Sequence, residues 1–246
     1  MAAVLTYAIG DIHGSFTKLA NLLRHCTDHC GGNAARFVFL GDYVDRGKRS
    51  REVVSLLIET QRARPGQVVC LMGNHEDMVL AAADGQDEAM WLFNGGEATL
   101  HSYGVGRAAD LPPEHLAWFA NLPAADSDER RFFVHAGVMP GIPLAQQRKD
   151  VLLWIREPFL SDENDHGLYV VHGHTPTGTG TPDLHPNRLN LDTLAWYGNP
   201  LMAAVFDDRR VGPLAFIADD GSVTAAAAIN QREQELYGPG KRARAR

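Results

Sequence analysis

Cysteine is scarce in this chain: 246 residues contain only Cys26, Cys30 and Cys70. An odd count builds no disulfide framework, so a reducing compartment, the cytoplasm, is expected. No apolar run approaches the roughly 20 residues that cross a bilayer, and no secretory leader is read. Membrane partners are therefore not expected. Positive charge is also short. The net formal charge is −7, and the last six residues, Lys241 to Arg246, carry four positive charges and no negative one, which leaves about −11 for the body. Such a body disfavours broad nucleic-acid binding and is compatible with carboxylates neutralised by bound cations. Hydrophobic residues make up 45%, enough to bury a core as one α/β domain or two small ones.

Against that background, three apolar runs end in polar chemistry. Phe37 to Leu40 breaks abruptly into Gly41-Asp42-Tyr43-Val44-Asp45-Arg46-Gly47. A run of this length fits a buried strand, and open α/β sheets bind ligands at the C-terminal ends of their strands. Carboxylates beside an arginine suit a hard metal and an anionic substrate. A capped strand end with a surface ion pair is the bland alternative. Val4 to Ile9 leads into Gly10-Asp11-Ile12-His13-Gly14. Asp11 and His13, two apart on extended backbone, can point to one side and offer the mixed oxygen and nitrogen set of Mn, Fe or Zn. Gln67 to Met72 ends in Gly73-Asn74-His75-Glu76. Asn74 offers a neutral oxygen to a metal, and His75 a proton donor or a further ligand. Three strand ends in succession are what an α/β active site requires.

Helices are expected between these strands: one beginning at Ser15 with Phe16, Leu19, Leu22 and Leu23 inward, and another over Ser50 to Glu59 with Val53, Val54, Leu57 and Ile58 inward. A short helix follows at Asp77 to Ala83 and another at Pro113 to Ala120. Asp126 to Glu129 reads as a solvated loop. The second half repeats the pattern. Arg131 to Val134 leads to His135-Ala136-Gly137, and Leu168 to Val171 to His172-Gly173-His174, so further histidine nitrogens stand at strand ends. Arg156 interrupts an apolar stretch, with a salt bridge to Glu157 as its alternative reading. Leu201 to Phe206 and Leu214 to Ala218 read as strands, and Val223 to Ile229 as running into a polar helix.

Gly10–Gly14, Gly41–Gly47 and Gly73–Glu76 (GDIHG, GDYVDRG and GNHE) together resemble the signature trio of the phosphoprotein phosphatase superfamily of calcineurin-like metallophosphoesterases. The likeness extends to VHAGVMPGIPL, LLWIREPF and VVHGHT, and to Asn190-Leu191-Asp192-Thr193 with Tyr197-Gly198; it spans roughly residues 5 to 207, and bacterial and phage serine/threonine phosphatases are the nearest in pattern. Two departures stand out: Leu194 and Asn199 occupy positions where glycine is usual. A Trp91-x-x-Asn94-Gly95-Gly96-x-x-Thr99-Leu100 segment is similar to one that shapes the substrate cleft in bacterial members, although Trp91 by itself reads as core.

This resemblance implies an α/β sandwich of two mixed β-sheets flanked by helices, with the site at the strand ends. It implies a catalytic domain over residues 1–224 with a helical insert at about 77–125, then a C-terminal helix and basic disordered tail over 225–246. It implies two divalent ions, manganese with iron or zinc as alternatives: Asp11, His13 and His172 at one, Asn74 and His135 at the other, and Asp42 bridging. Such ions lie about 3.5–4 Å apart and clamp an in-line displacement by metal-bound hydroxide. Arg46 and Arg156 would grip phosphate, His75 would protonate the leaving oxygen and Asp45 would orient His75, with His174 in support. The implied activity is phosphomonoester hydrolysis, foremost on phosphoserine or phosphothreonine in a protein or peptide. Dinucleoside polyphosphates or other small phosphoesters are the enzymatic alternative, and a metal-stabilised binding protein the non-catalytic one. The cysteines lack the phosphate loop of cysteine-based phosphatases. In the His25-Cys26-Thr27-Asp28-His29-Cys30 run, spacing could hold zinc, but a buried cysteine and exposed histidines is the simpler reading.

Overall fold

Alternating residues of each central strand enter different apolar layers, and this places the sheets. The computed structural model describes residues 4–227. In chain order it runs β1 (Leu5–Ile9), α1 (Phe16–Cys30), β2 (Ala35–Phe39), α2 (Ser50–Ala63), β3 (Val68–Cys70) and α3 (Asn74–Ala83). Then come α4 (Glu88–Trp91), a π-helical turn at Leu92–Gly96, α5 (Glu97–Tyr103) and α6 (Pro113–Ala120). The rest is β4 (Ala125–Ser127), β5 (Arg131–Val134), α7 (Lys149–Trp154), β6 (Tyr169–His172), β7 (Asp183–Leu184), β8 (Arg188–Asn190), β9 (Met202–Phe206), β10 (Ala215–Ala218) and β11 (Val223–Ala225).

Six strands form one sheet in the order β11-β10-β9-β1-β2-β3, and five form the other in the order β4-β5-β6-β8-β7. Both are mixed. β1, β2 and β3 run parallel, as do β5, β6 and β8, while antiparallel strands complete the edges. Ala8, Val38, Leu40, Phe133, Val171, Leu189, Ala204 and Phe206 fill the space between the sheets. Their neighbours Tyr7, Ile9, Phe37 and Phe39 face the other way, against Leu19 and Leu22 of α1 and Leu57 of α2. Phe132, Val134 and Val170 cover the far side of the second sheet with Leu152 and Phe159. Strands buried on both faces read as continuous apolar runs, which is why these were visible in the sequence. The architecture is the expected α/β sandwich. Among the described residues, no helix is long and apolar enough to cross a membrane.

Several segments differ from expectation. Asp126 lies in edge strand β4 rather than a free loop, because it pairs with Arg36 of β2 and ties the two sheets together. Val223–Ala225 adds an edge strand to β10, and the helical backbone expected there begins only after it, at Ala226 and Ala227. The remainder of the expected C-terminal helix and the basic tail lie outside the described residues.

Candidate active site

The two parallel triplets point their C-terminal ends at each other. The backbone N–H of His174, beyond β6, donates to both Asp11 carboxylate oxygens, beyond β1, at 3.2 and 3.1 Å. Asp42 sits at the centre of this edge. It adopts the left-handed conformation at φ 55, and Glu76 holds its loop in place. The Glu76 side chain, fully buried, accepts the backbone N–H groups of Asp42, Tyr43 and Gly73 at 2.9, 2.8 and 2.9 Å. One carboxylate thus staples the second strand end to the start of α3. Burial pushes it up to about 7 despite these bonds.

The Asp42 carboxylate faces two ways. Its Oδ2 is 3.4 Å from His13 Nε2, and its Oδ1 is 3.3 Å from His135 Nε2. Two buried donor groups result, His13/Asp42/His75 and Asp42/His135/His174, each with its atoms within 4.8 Å of one another. Asp42 belongs to both. Backbone carbonyls fix the imidazole tautomers: His13 Nδ1–H donates to the Val44 oxygen and His135 Nδ1–H to the Leu40 oxygen, both at 2.8 Å. Each ring therefore turns an Nε2 lone pair inward. His135 Nε2 lies 2.8 Å from Asn74 Oδ1. Burial drives His135 down to about 3, so near neutral pH no proton stands between these two acceptors, and Asp42 Oδ1 faces them as well. Three buried groups with lone pairs aimed at one another are a fit for a cation. The acids agree: burial, then the charges of Asp192 and Asp42, pushes the Asp11 carboxyl well up, and burial does the same to Asp42, aided by Glu76. These His/Asp clusters suit divalent metal ions.

The expected residues Asp11, His13, Asp42, Asn74 and His135 are brought together. His172 is placed differently. It ends β6 with its ring against Phe159, at 5.0 Å between centroids, and its Nδ1 on the Gly173 carbonyl. His174, not His172, joins Asp42 and His135, with Nδ1 2.9 Å from Asn74 Oδ1. Spacing alone does not distinguish them; the turn through Gly173 into His174 at φ 66 does.

His75 and Asp45 form a buried pair, Nδ1–H to Oδ2 at 2.6 Å. Trp91 Nε1–H donates to both Asp45 oxygens at 3.0 and 2.9 Å, and the Thr99 hydroxyl donates to Oδ1 at 2.6 Å. Burial raises Asp45 to about 7, and these two bonds pull it down. Burial and the Arg46 charge hold His75 well below the usual imidazole range, hence neutral. Arg46 reaches between the groups, with Nη1 and Nη2 each 3.0 Å from Nε2 of His13 and of His75. Arg156 is exposed and forms no ion pair with Glu157, whose carboxylate accepts from Ser161; its charge reaches His174 and Asp192. Sequence reasoning missed the bonds made by Trp91, Thr99 and Glu76. The only signals were the Trp91–Leu100 segment and the acid of the third motif.

The His25–Cys30 run lies apart. Cys26 and Cys30 are buried in the core, and His29 Nδ1 meets the Tyr7 hydroxyl at 2.8 Å.

Serine/threonine-protein phosphatase 1 of Salmonella typhimurium is 28% identical over 181 residues, covering 69% of this chain and 78% of its own. A crystal structure of a protein provisionally assigned as a diadenosine tetraphosphatase superposes with a TM-score of 0.64 at 23% identity, over 82% of this chain and 89% of its own. A cold-active protein-tyrosine phosphatase of a psychrophile, Shewanella sp., gives 0.65 at 18% identity, over 91% and 80%. These two structures share the fold. The family model for calcineurin-like phosphoesterases matches residues 5–205, and the chain belongs to that family.

Proposed function

We propose that the protein is a metal-dependent phosphomonoester hydrolase acting on phosphoserine and phosphothreonine in proteins, as the name of its Salmonella relative suggests. The observation that carries this reading is the buried His75–Asp45 pair beside Asp42 and Arg46. A serine or threonine alkoxide is a poor leaving group and needs a proton, whereas a polyphosphate hardly does. A site with a built proton donor therefore fits the monoester better.

Asp11, His13 and Asp42 would hold one divalent ion, and Asp42, Asn74, His135 and His174 the other, manganese being the expected metal. Bound there, the ions supply Lewis-acid activation of the nucleophile and of the phosphoryl oxygens. The chain's own residues do the rest. Arg46 and Arg156 present planar pairs of N–H donors to phosphate oxygens. Arg46 also bears on the proton of His75. Burial, aided by the Arg46 charge, keeps His75 neutral in the free site; a phosphate dianion beside Arg46 offsets that second contribution and favours a proton on His75 Nε2. Asp45 holds Nδ1–H, so Nε2 is the nitrogen that faces the leaving oxygen.

The test is one panel of substrates with the manganese-loaded protein: phosphoserine, phosphothreonine and phosphotyrosine peptides against diadenosine tetraphosphate. Turnover of the first two should lead. Preferential cleavage of diadenosine tetraphosphate overturns the protein-phosphatase reading.

A further inference from the structure

The acid's support comes from outside the strand ends. Asp45 and Arg46 are consecutive residues in the left-handed conformation, at φ 69 and 64, a region that side-chain-bearing residues occupy only when their surroundings enforce it. What enforces it here is the segment from Trp91 to Thr99. Thr99 Oγ1 accepts the Asp45 backbone N–H at 2.8 Å and returns its own hydrogen to Asp45 Oδ1. The Gly95 carbonyl accepts the Arg46 backbone N–H at 3.1 Å. Gly95 itself sits at φ 105 inside the π-helical turn; this kink lets its carbonyl reach Arg46. Trp91 spans both Asp45 oxygens and is fully buried, its ring lying where any side chain at Gly96 would have to go.

Asp45 is fully buried, and among the described residues no cationic side chain is within ion-pair distance of it apart from His75 if protonated. Its remaining side-chain donors are Trp91 and Thr99. With Trp91 or Thr99 unable to donate, an Asp45 oxygen is left buried and unbonded, and the carboxylate is no longer fixed where it accepts the His75 Nδ1–H.

We propose that Trp91 and Thr99 are positioning residues for the leaving-group acid, holding Asp45 so that His75 keeps its proton on Nδ1, while Gly95 sets the adjacent Arg46. The inference rests on the proposed role of His75 and deepens it: one nine-residue segment couples leaving-group protonation to phosphate binding.

The experiment uses Trp91→Phe, which removes the indole donor, and Thr99→Val, which removes the hydroxyl that both donates to and accepts from Asp45, with Thr99→Ser as the variant that keeps the hydroxyl. kcat is measured at saturating manganese on a phosphoserine peptide and on p-nitrophenyl phosphate, whose leaving group needs no proton. Both deletions should lower peptide turnover by about 10-fold or more and p-nitrophenyl phosphate turnover much less, at parental manganese content and below the Tm of each variant, and Thr99→Ser should restore it. In the metal-free protein, the downfield proton resonance of His75 Nδ1–H, assigned by its loss in His75→Asn, should move upfield in both. Equal losses on both substrates, no loss on either, or an unmoved resonance overturns the proposal. His75→Asn separates the two levels. If it shows the leaving-group bias and Trp91→Phe and Thr99→Val do not, the acid stands and the positioning role fails; if it shows no bias, both fail.

Discussion

Gly173→Ala tests the metal assignment through a single methyl group. Gly173 lies between His172 and His174, and its backbone is not in the left-handed region, so alanine is conformationally acceptable there. The obstacle is steric. A Cβ at this position would lie 2.0 Å from Asp11 Oδ1, where ordinary contact begins at 3.4 Å. The carboxylate must therefore retreat by about 1.4 Å, from a fully enclosed position in which two hydrogen bonds from the His174 N–H hold it. Overpacking of this kind costs about 1–3 kcal/mol, or roughly 2–12 °C in Tm for a domain of this size. The effect on metal should be larger, because ligand distances tolerate only about ±0.2 Å. The expected result is loss of about one of two manganese equivalents after loading and removal of excess, with turnover of p-nitrophenyl phosphate falling at least as steeply. Gly178→Ala is the control: its φ is ordinary, and nothing lies within 4 Å of the added carbon. Metal content is read by elemental analysis and stability by circular dichroism. Two retained equivalents with parental kcat in Gly173→Ala would refute both the placement of Asp11 beside an ion and the close approach of Gly173.

Further outcomes follow from the same geometry. Arg46→Ala and Arg156→Ala should each lose about 10–100-fold in kcat/KM, the worth of a charged hydrogen bond at about 1.5–3 kcal/mol, with Tm barely moved; a parallel fall in Tm would make them structural. His75→Asn should reduce kcat on phosphoserine peptides by about 10²–10⁴-fold and on p-nitrophenyl phosphate far less, and equal losses at full metal occupancy would assign His75 to positioning the phosphate or nucleophile. Leu194, at φ 59, stands where the family pattern has glycine and pays the left-handed cost of about 1–2 kcal/mol. Leu194→Gly should therefore raise stability by about 1 kcal/mol in a denaturant titration, and a net loss would mean that the leucine side chain packs more strongly than its backbone is strained.

The sequence by itself determined the parts of this protein that local order can encode. Seven strands were legible because they are apolar runs buried on both faces, and the ligands were legible because each run stops in acids, asparagine or histidine. Period alone gave α1, α2 and the inward face of each. The short strands β4, β7, β8 and β11 were not legible. β4 and β8 are held by bonds that no window of sequence contains, Arg36 to Asp126 and the buried Arg188 to the Leu160 carbonyl. The same limit applies at the site. His172 and His174 are two apart on one strand end and chemically identical; only the turn at Gly173, packed against Asp11 from the other sheet, decides that His174 meets Asp42. Trp91 and Thr99 act on a carboxylate 46 and 54 residues away, and Glu76 staples a loop 33 and 34 residues upstream. Such partners carry no periodicity and no common spacing. Composition and motif say which groups are present, but which oxygen meets which proton is fixed only when two sheets close on each other and exclude the water that would otherwise satisfy them.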